Sequence, residues 1–313
     1  MNYYFRRLFT LALTVVLVLI LTFSVFRVIP GDPALAILGV EASQEQIEML
    51  SEKLGTDRPM AVQLLEWFRG AATMDLGTSL RYSEPVSDLI ASRLPVTLIL
   101  ALESVAIVIA FSIPLGIAAA RRPGKAADLA VSVLTQLGLA VPSFWMGILL
   151  LLLFGLTLNW VPVSTYVGWD ENPWLALRST FLPAAALAIP QIAIVVRYLR
   201  TSLLEQLNLD YVRTARSKGL GDRAVLYGHA LRNSLLPVAT VIGIQFGELL
   251  AGSLVIEQVF SLPGFGSLLI SAIGNRDYPL VQGLVLFIAA SVIVVNFLVD
   301  LSYRWLDPKI KLG

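Results

Sequence analysis

The chain has 313 residues, of which 57% are hydrophobic and 14% charged, and its 23 basic and 22 acidic side chains leave a net charge of +1. Soluble domains carry about 45–50% apolar and about 25% charged residues, so a soluble enzyme and a disordered chain are excluded, and the charge balance removes any general case for a nucleic-acid partner. With no cysteine there is no disulfide framework, thiolate nucleophile or cysteine metal site.

The first uncharged run, Leu8 to Phe26, follows Arg6-Arg7. Its 19 residues exceed the roughly 7–15 of a signal-peptide core, and Arg27-Val28-Ile29-Pro30 follows where a small-x-small cleavage site would stand, so it reads as a retained membrane anchor. Residues 27–93 come next, the one extramembrane segment large enough for structure of its own. Ser43-Gln44-Glu45-Gln46 is a helix start of the capping-box type, predicting a helix to Gly55, and Pro59 opens another as far as Gly70. This loop reads either as a solvated lid or as a docking surface for an external partner.

Further spans are predicted at Leu94–Ala120, Ser132–Leu156, Phe181–Leu199, Leu235–Val255 and Leu280–Tyr303, six in all, each near the length needed to cross a bilayer. Leu129 to Trp169 is uncharged for 41 residues, but two helices of roughly 20 would leave no turn, and Asn159-Trp160-Val161-Pro162 reads as a break with an interfacial aromatic, so one span is expected there. Pro114, Pro142, Pro183, Pro190 and Pro237 fall in or beside these helices, which predicts kinks or a lined cavity. With both termini cytoplasmic, fifteen of the 23 basic residues lie on the cytoplasmic side, and six of the other eight are mixed with ten acidic residues in the 27–93 loop. That asymmetry follows the positive-inside rule.

The cytoplasmic loop, residues 200–234, holds one short helix with its own boundaries. Asp210 is expected to cap it, Tyr211 to Lys218 to form it with Arg216 and Lys218 in the last turn, and Gly219 to end it. Asp222 is expected to cap a second segment leading to Pro237. Tyr211, Val212 and Ala215 share a narrow apolar face that suits a groove in another protein, although a basic helix lying on lipid has the same pattern.

Asp210-Tyr211-Val212-Arg213-Thr214-Ala215-Arg216-Ser217-Lys218-Gly219-Leu220, followed by His229-Ala230-Leu231-Arg232-Asn233-Ser234-Leu235-Leu236-Pro237, resembles the coupling-loop signature of permease subunits of dipeptide, oligopeptide and nickel ABC importers. Phe5-Arg6-Arg7, Ile29-Pro30-Gly31-Asp32-Pro33, Asp75-Leu76-Gly77-Thr78-Ser79 and Val259-Phe260-Ser261-Leu262-Pro263-Gly264-Phe265-Gly266 are similar to the same branch, and the long first outer loop resembles the first of its two paired permeases. The resemblance implies an all-α, type I ABC importer permease fold over 1–313 and a place in a bacterial or archaeal cytoplasmic (inner) membrane. It also implies a second homologous permease, two ATP-binding subunits that hold ATP and Mg, and an extracytoplasmic substrate-binding protein. On it, Asp210, Tyr211, Arg213, Thr214, Ala215, Arg216, Lys218 and Gly219 couple to an ATPase. The broader motif has a glutamate and two alanines before its glycine; here Arg213, Thr214 and Ala215 stand there, so a role resting on that glutamate does not transfer.

No phosphate loop of the G-x-x-x-x-G-K-[ST] type occurs, and His229 is the sole histidine, which excludes a histidine-rich metal site. The chain is therefore expected to be neither an enzyme nor a cofactor carrier. Glu103 and Glu248, with Gln191, fall within spans and are candidates to line a pathway or to bond a neighbouring helix. Short peptides are the expected cargo. Nickel chelates, opines and oligosaccharides are the alternatives within the resemblance, and a proton-coupled carrier using Glu103 or Glu248 lies outside it.

Overall fold

The computed structural model describes residues 3–28, 33–39, 42–161 and 166–306. Among these the regular structure is helical, with a single isolated bridge between Thr78 and Pro85. Ile29 to Asp32 and Pro162, which figured in the expectations above, lie outside the described residues, as do Lys309 and Lys311. The chain divides into two compact units, Met1–Pro95 with Pro263–Val294, and Val96–Leu262 with Val295–Gly313.

Among the described residues, five helices are long and apolar enough to cross a membrane: α1 (Tyr3–Val28), α5 (Val86–Arg121), α8 (Pro173–Leu207), the continuous stretch Asp222–Val259, and α13 (Tyr278–Leu306). A sixth span results if α6 (Ala126–Ala140) and α7 (Ser143–Leu150), with the π-helical turns Leu151–Thr157, are counted together. The expected unbroken span over Ser132–Leu156 is therefore corrected to two segments bent by 102°. Pro142 has no N–H to continue the helix and forces the preceding residue out of helical geometry. Val141 is accordingly extended at φ −101°, ψ 123°, and a new helix starts with Met146 N–H on the Pro142 carbonyl at 3.0 Å.

In the first unit, α3 (Gln44–Leu54) begins at Ser43 with both halves of the capping box formed and ends at Gly55 with φ 67°, as the local sequence dictates. Two short helices flank it, α2 (Pro33–Leu38) and α4 (Met60–Thr73). The latter runs one turn past the expected stop at Gly70, closing on Met74 in the left-handed region. Helix α5 starts at Val86, so the end of the 27–93 segment, Arg93 included, is already helical.

The same unit contains a helix not expected from the sequence, α12 (Phe265–Gly274), and the start of α13. Buried Asp277 ties these to the Asp75–Ser79 stretch. Its carboxylate accepts Ser79 Oγ–H at 2.5 Å, the Arg81 N–H at 3.2 Å and the Leu280 N–H at 3.3 Å, so one side chain holds a loop and caps a helix.

The second unit is built around α8. Its buried face is rich in small residues, Ala176, Ala184, Ala186, Ala188 and Ala193, which lets α6, α7 and α11 (Leu231–Val259) approach closely, as membrane helices do where lipid offers no hydrophobic contrast. Gly147 shows how tight this is: a Cβ there would stand 3.1 Å from the Phe260 ring and 3.2 Å from Ile256. At one end of α8 a buried Asp128 accepts both Nε–H and Nη2–H of Arg200 at 2.6 and 2.8 Å, and the Gly124 N–H at 2.8 Å.

Candidate functional site

The segment expected to couple to an ATPase forms α9 (Asp210–Ser217). Its N-cap is Leu209, extended at ψ 154°, which corrects the expectation for Asp210: the aspartate is the first helical residue, and its carboxylate meets Arg213 at 3.4 Å. Asp222 is likewise the first residue of α10 (Asp222–Val225), after Gly221 as cap. The other end is as the sequence predicts. Gly219 sits at φ +85°, its N–H bonds the Arg216 carbonyl at 2.9 Å, and the Leu220 N–H bonds the Ala215 carbonyl at 3.3 Å. These are the two bonds of a Schellman end, which requires a left-handed residue and so favours glycine.

The apolar face of α9 is turned inward. Val212 and Ala215 are buried against Val225 and Leu207 of the same chain. The expectation that this face enters a partner's groove is therefore corrected, since buried residues cannot be presented to another protein. Apart from Tyr211, which keeps 36% of its surface exposed, α9 exposes polar residues, Asp210, Arg213, Thr214, Arg216 and Ser217, with Lys218 exposed just past its end. Arg216 is bridged to Asp222 at 3.5 Å.

Tyr211 performs a job that spacing alone did not suggest. Its hydroxyl donates to Gln206 Oε1 at 2.7 Å and accepts from Asn233 Nδ2 at 3.1 Å. It thus clamps the short helix to the end of α8 and to the start of α11 at once. Gln206 was not singled out in the sequence, and Asn233 figured there only within the motif string, because neither belongs to the periodic face of α9. This hydroxyl and the packing of Val212 and Ala215 on Val225 and Leu207 connect α9 to its neighbouring helices.

The polar groups inside the spans form interhelical rungs. Thr180 Oγ1 of α8 donates to Glu103 Oε2 of α5 at 2.6 Å, Gln245 Nε2 of α11 donates to Gln191 Oε1 of α8, and Thr97 Oγ1 of α5 donates to Glu257 Oε1 of α11 at 2.6 Å. Each pair of the three helices is thereby bridged once. Glu257, at 0% exposure, was not singled out in the sequence because it lies at the end of an apolar run, where a charge reads as a loop residue. Glu248 differs from the other candidates. It is exposed on α11, on one stripe with Ile244, Ala251, Val255 and Gln258 at helical spacing, opposite the side that carries buried Leu249 and Ile256. Among the described residues no group of three or more His, Asp or Glu side chains could hold a metal ion.

Long apolar helices packed through small residues mark a multi-pass membrane protein. The sequence matches the family described as "Binding-protein-dependent transport system inner membrane component" over residues 112–312, and the description "Binding-prot-dependent transport system membrane comp, N-term" over residues 1–101. The chain belongs to this family of bacterial inner-membrane permeases. It is 46% identical over 294 residues to a peptide transport system permease protein of Brucella suis biovar 1, covering 94% of each chain. Against the oligopeptide transport system permease protein AppB of Bacillus subtilis it is 38% identical over 295 residues, covering 93% of each. The fold also resembles the crystal structure of an amino acid ABC transporter with histidines, at a TM-score of 0.56 and 17% identity, over 70% of this chain and 94% of that one.

Proposed function

We propose that this permease forms one half of the membrane pathway of an ATP-driven importer of di- or oligopeptides. A second homologous permease completes the pathway, two ATP-binding subunits hold ATP and Mg, and an extracytoplasmic substrate-binding protein delivers the cargo. In this reading both termini are cytoplasmic, residues 27–93 face outward, and α9 meets an ATPase through the polar surface of Asp210, Arg213, Thr214, Arg216 and Lys218. Tyr211, Ala215 and Gly219 fix its pose from behind. The peptide cargo is supported by the names of the relatives in Brucella and Bacillus.

The observation that carries the pathway assignment is Glu248. A carboxylate in the middle of a span, exposed on its own subunit, is too costly to leave in lipid, so its stripe faces water or protein. Ile244, Glu248, Ala251 and Val255 accordingly line the route, while Glu103 and Gln191 sit behind it in the interhelical rungs. Because the natural chain has no cysteine, Glu248→Cys gives a single thiol. In the assembled transporter it is modified by a membrane-impermeant thiosulfonate, and saturating substrate with the binding protein slows the reaction. A thiol as inert as one at Leu21 of α1 would overturn the assignment.

A further inference from the structure

From the way α4 meets α1, we infer that α4 is a membrane-interface helix whose exposed face lies against the lipid of the outer leaflet. The sidedness rests on the topology proposed above; the contact with lipid does not. α1 is exposed along most of its length, at Leu8, Phe9, Leu13 and Leu17, but becomes buried at Leu19, Thr22 and Phe23. α4 packs there, and the Trp67 indole N–H donates to the Leu19 backbone carbonyl at 3.2 Å. Leu19 lies six residues before Val25, the end of the apolar stretch of α1, which at about 1.5 Å per residue puts the indole roughly 9 Å inside that end. An interfacial helix buries its apolar face about 5–10 Å into the boundary between headgroups and acyl chains. The tryptophan therefore holds α4 at the depth of lipid tails and glycerol, below bulk water.

The remaining surface of α4 agrees with that depth. The helix has no buried residue. Gln63, Trp67 and Gly70 form its inner side, where with Phe23, Leu54, Leu76 and other residues they line a cavity of about 470 Å³. The opposite side carries Ala61, Val62, Leu65, Arg69, Ala72 and Thr73 at helical spacing, all exposed, and Leu65 is exposed to 72%. A leucine so uncovered, at membrane depth, is stable against acyl chains and unfavourable against water. Arg69, on the same side, has an aliphatic stem that can lie in the apolar layer while its guanidinium reaches lipid phosphate. Arg58, just before the helix, pairs at 2.5 Å with Glu66 at its middle, on the side of the cavity, and both remain half exposed. The outer loop is then neither a free lid nor wholly a docking surface: α4 is a lateral anchor that fixes the Asp75–Ser79 loop, which follows directly.

Site-directed spin labelling tests this without background from this chain, which contains no cysteine. Leu65→Cys and, independently, Val62→Cys carry the nitroxide in the complete transporter reconstituted in liposomes, with Leu21→Cys on α1 as the lipid-facing reference and Glu45→Cys on α3 as the aqueous one. Power saturation compares collision with oxygen, which partitions into lipid, and with a neutral nickel chelate, which stays in water. Both α4 labels are expected to show oxygen accessibility dominant, in the ratio found at Leu21, and no change when the substrate-binding protein is added. Nickel-chelate accessibility like that of Glu45 would overturn the inference in favour of a solvated helix. An immobile label shielded from both reagents, or a spectrum altered by the binding protein, would overturn it in favour of a protein contact.

Discussion

Replacement of Gly219 separates a conformational role from a steric one. A Cβ placed there meets nothing within 4 Å, yet the backbone stands at φ +85°. A Cβ alone therefore meets no steric cost, and the main penalty is that of holding an L-residue in the left-handed region, about 1–2 kcal/mol. A β-branched side chain falls at the upper end, whereas asparagine tolerates the conformation by bonding its own backbone. The two bonds at stake, Gly219 N–H to Arg216 and Leu220 N–H to Ala215, are at an exposed helix end, so a loss of about 1–2 kcal/mol lowers the ratio of closed to open ends by roughly five- to thirtyfold. In proteoliposomes with the ATPases and binding protein, Gly219→Val is expected to lower substrate taken up per ATP hydrolysed several-fold while basal hydrolysis persists, and Gly219→Asn to stay near the unaltered protein. If valine and asparagine behaved alike, in either direction, the conformational argument would fail.

Tyr211→Phe keeps the ring and removes two hydrogen bonds of about 0.5–1.5 kcal/mol each; it should leave co-purification with the ATPases intact and reduce coupling, and unaltered uptake per ATP would show the clamp to be idle. Ser79→Ala removes a hydrogen bond to a buried carboxylate, about 1.5–3 kcal/mol, so amide exchange at Arg81 and Tyr82 should quicken roughly ten- to a hundredfold, while exchange in α9 stays unchanged. Arg200→Lys cannot reproduce the two-pronged contact with Asp128 and should lower thermal stability in detergent; with Arg200 about a third exposed, solvent screening limits the loss to about 1–2 kcal/mol. Titration of the cognate binding protein is expected to give tight binding of short peptides and none of sugars or nickel chelates, and the reverse would replace the cargo assignment while leaving the permease intact.

The features legible in the sequence are those fixed by neighbours along the chain. Ser43 and Gln46 specify a helix start within one turn, Gly219 a left-handed stop, and uncharged runs of about 20 residues can bury their backbone only as spans. The bend at Val141-Pro142 was hidden because hydropathy is equally high on both sides of it; the proline was visible, but the size of its effect depends on what packs around it. Helix α12 has ten residues, too few to register as a span and too apolar to read as a loop. The inward turn of Val212 and Ala215 depends on Val225, which reaches them only after the chain reverses at Gly219 and Gly221. Asp277 and Ser79 lie 198 residues apart, and no local pattern joins them. The one-residue offset at Asp210 has the ordinary size of a helix-boundary difference.

Uptake by purified components tests the central claim most directly. The chain, its companion permease and the ATP-binding subunits are reconstituted in liposomes with ATP enclosed, and labelled short peptide is supplied outside with the binding protein. Accumulation should require enclosed ATP and the binding protein together, cease when a non-hydrolysable nucleotide replaces ATP, and be indifferent to an imposed proton gradient. Accumulation driven by that gradient, by this chain without ATPases, would contradict the account.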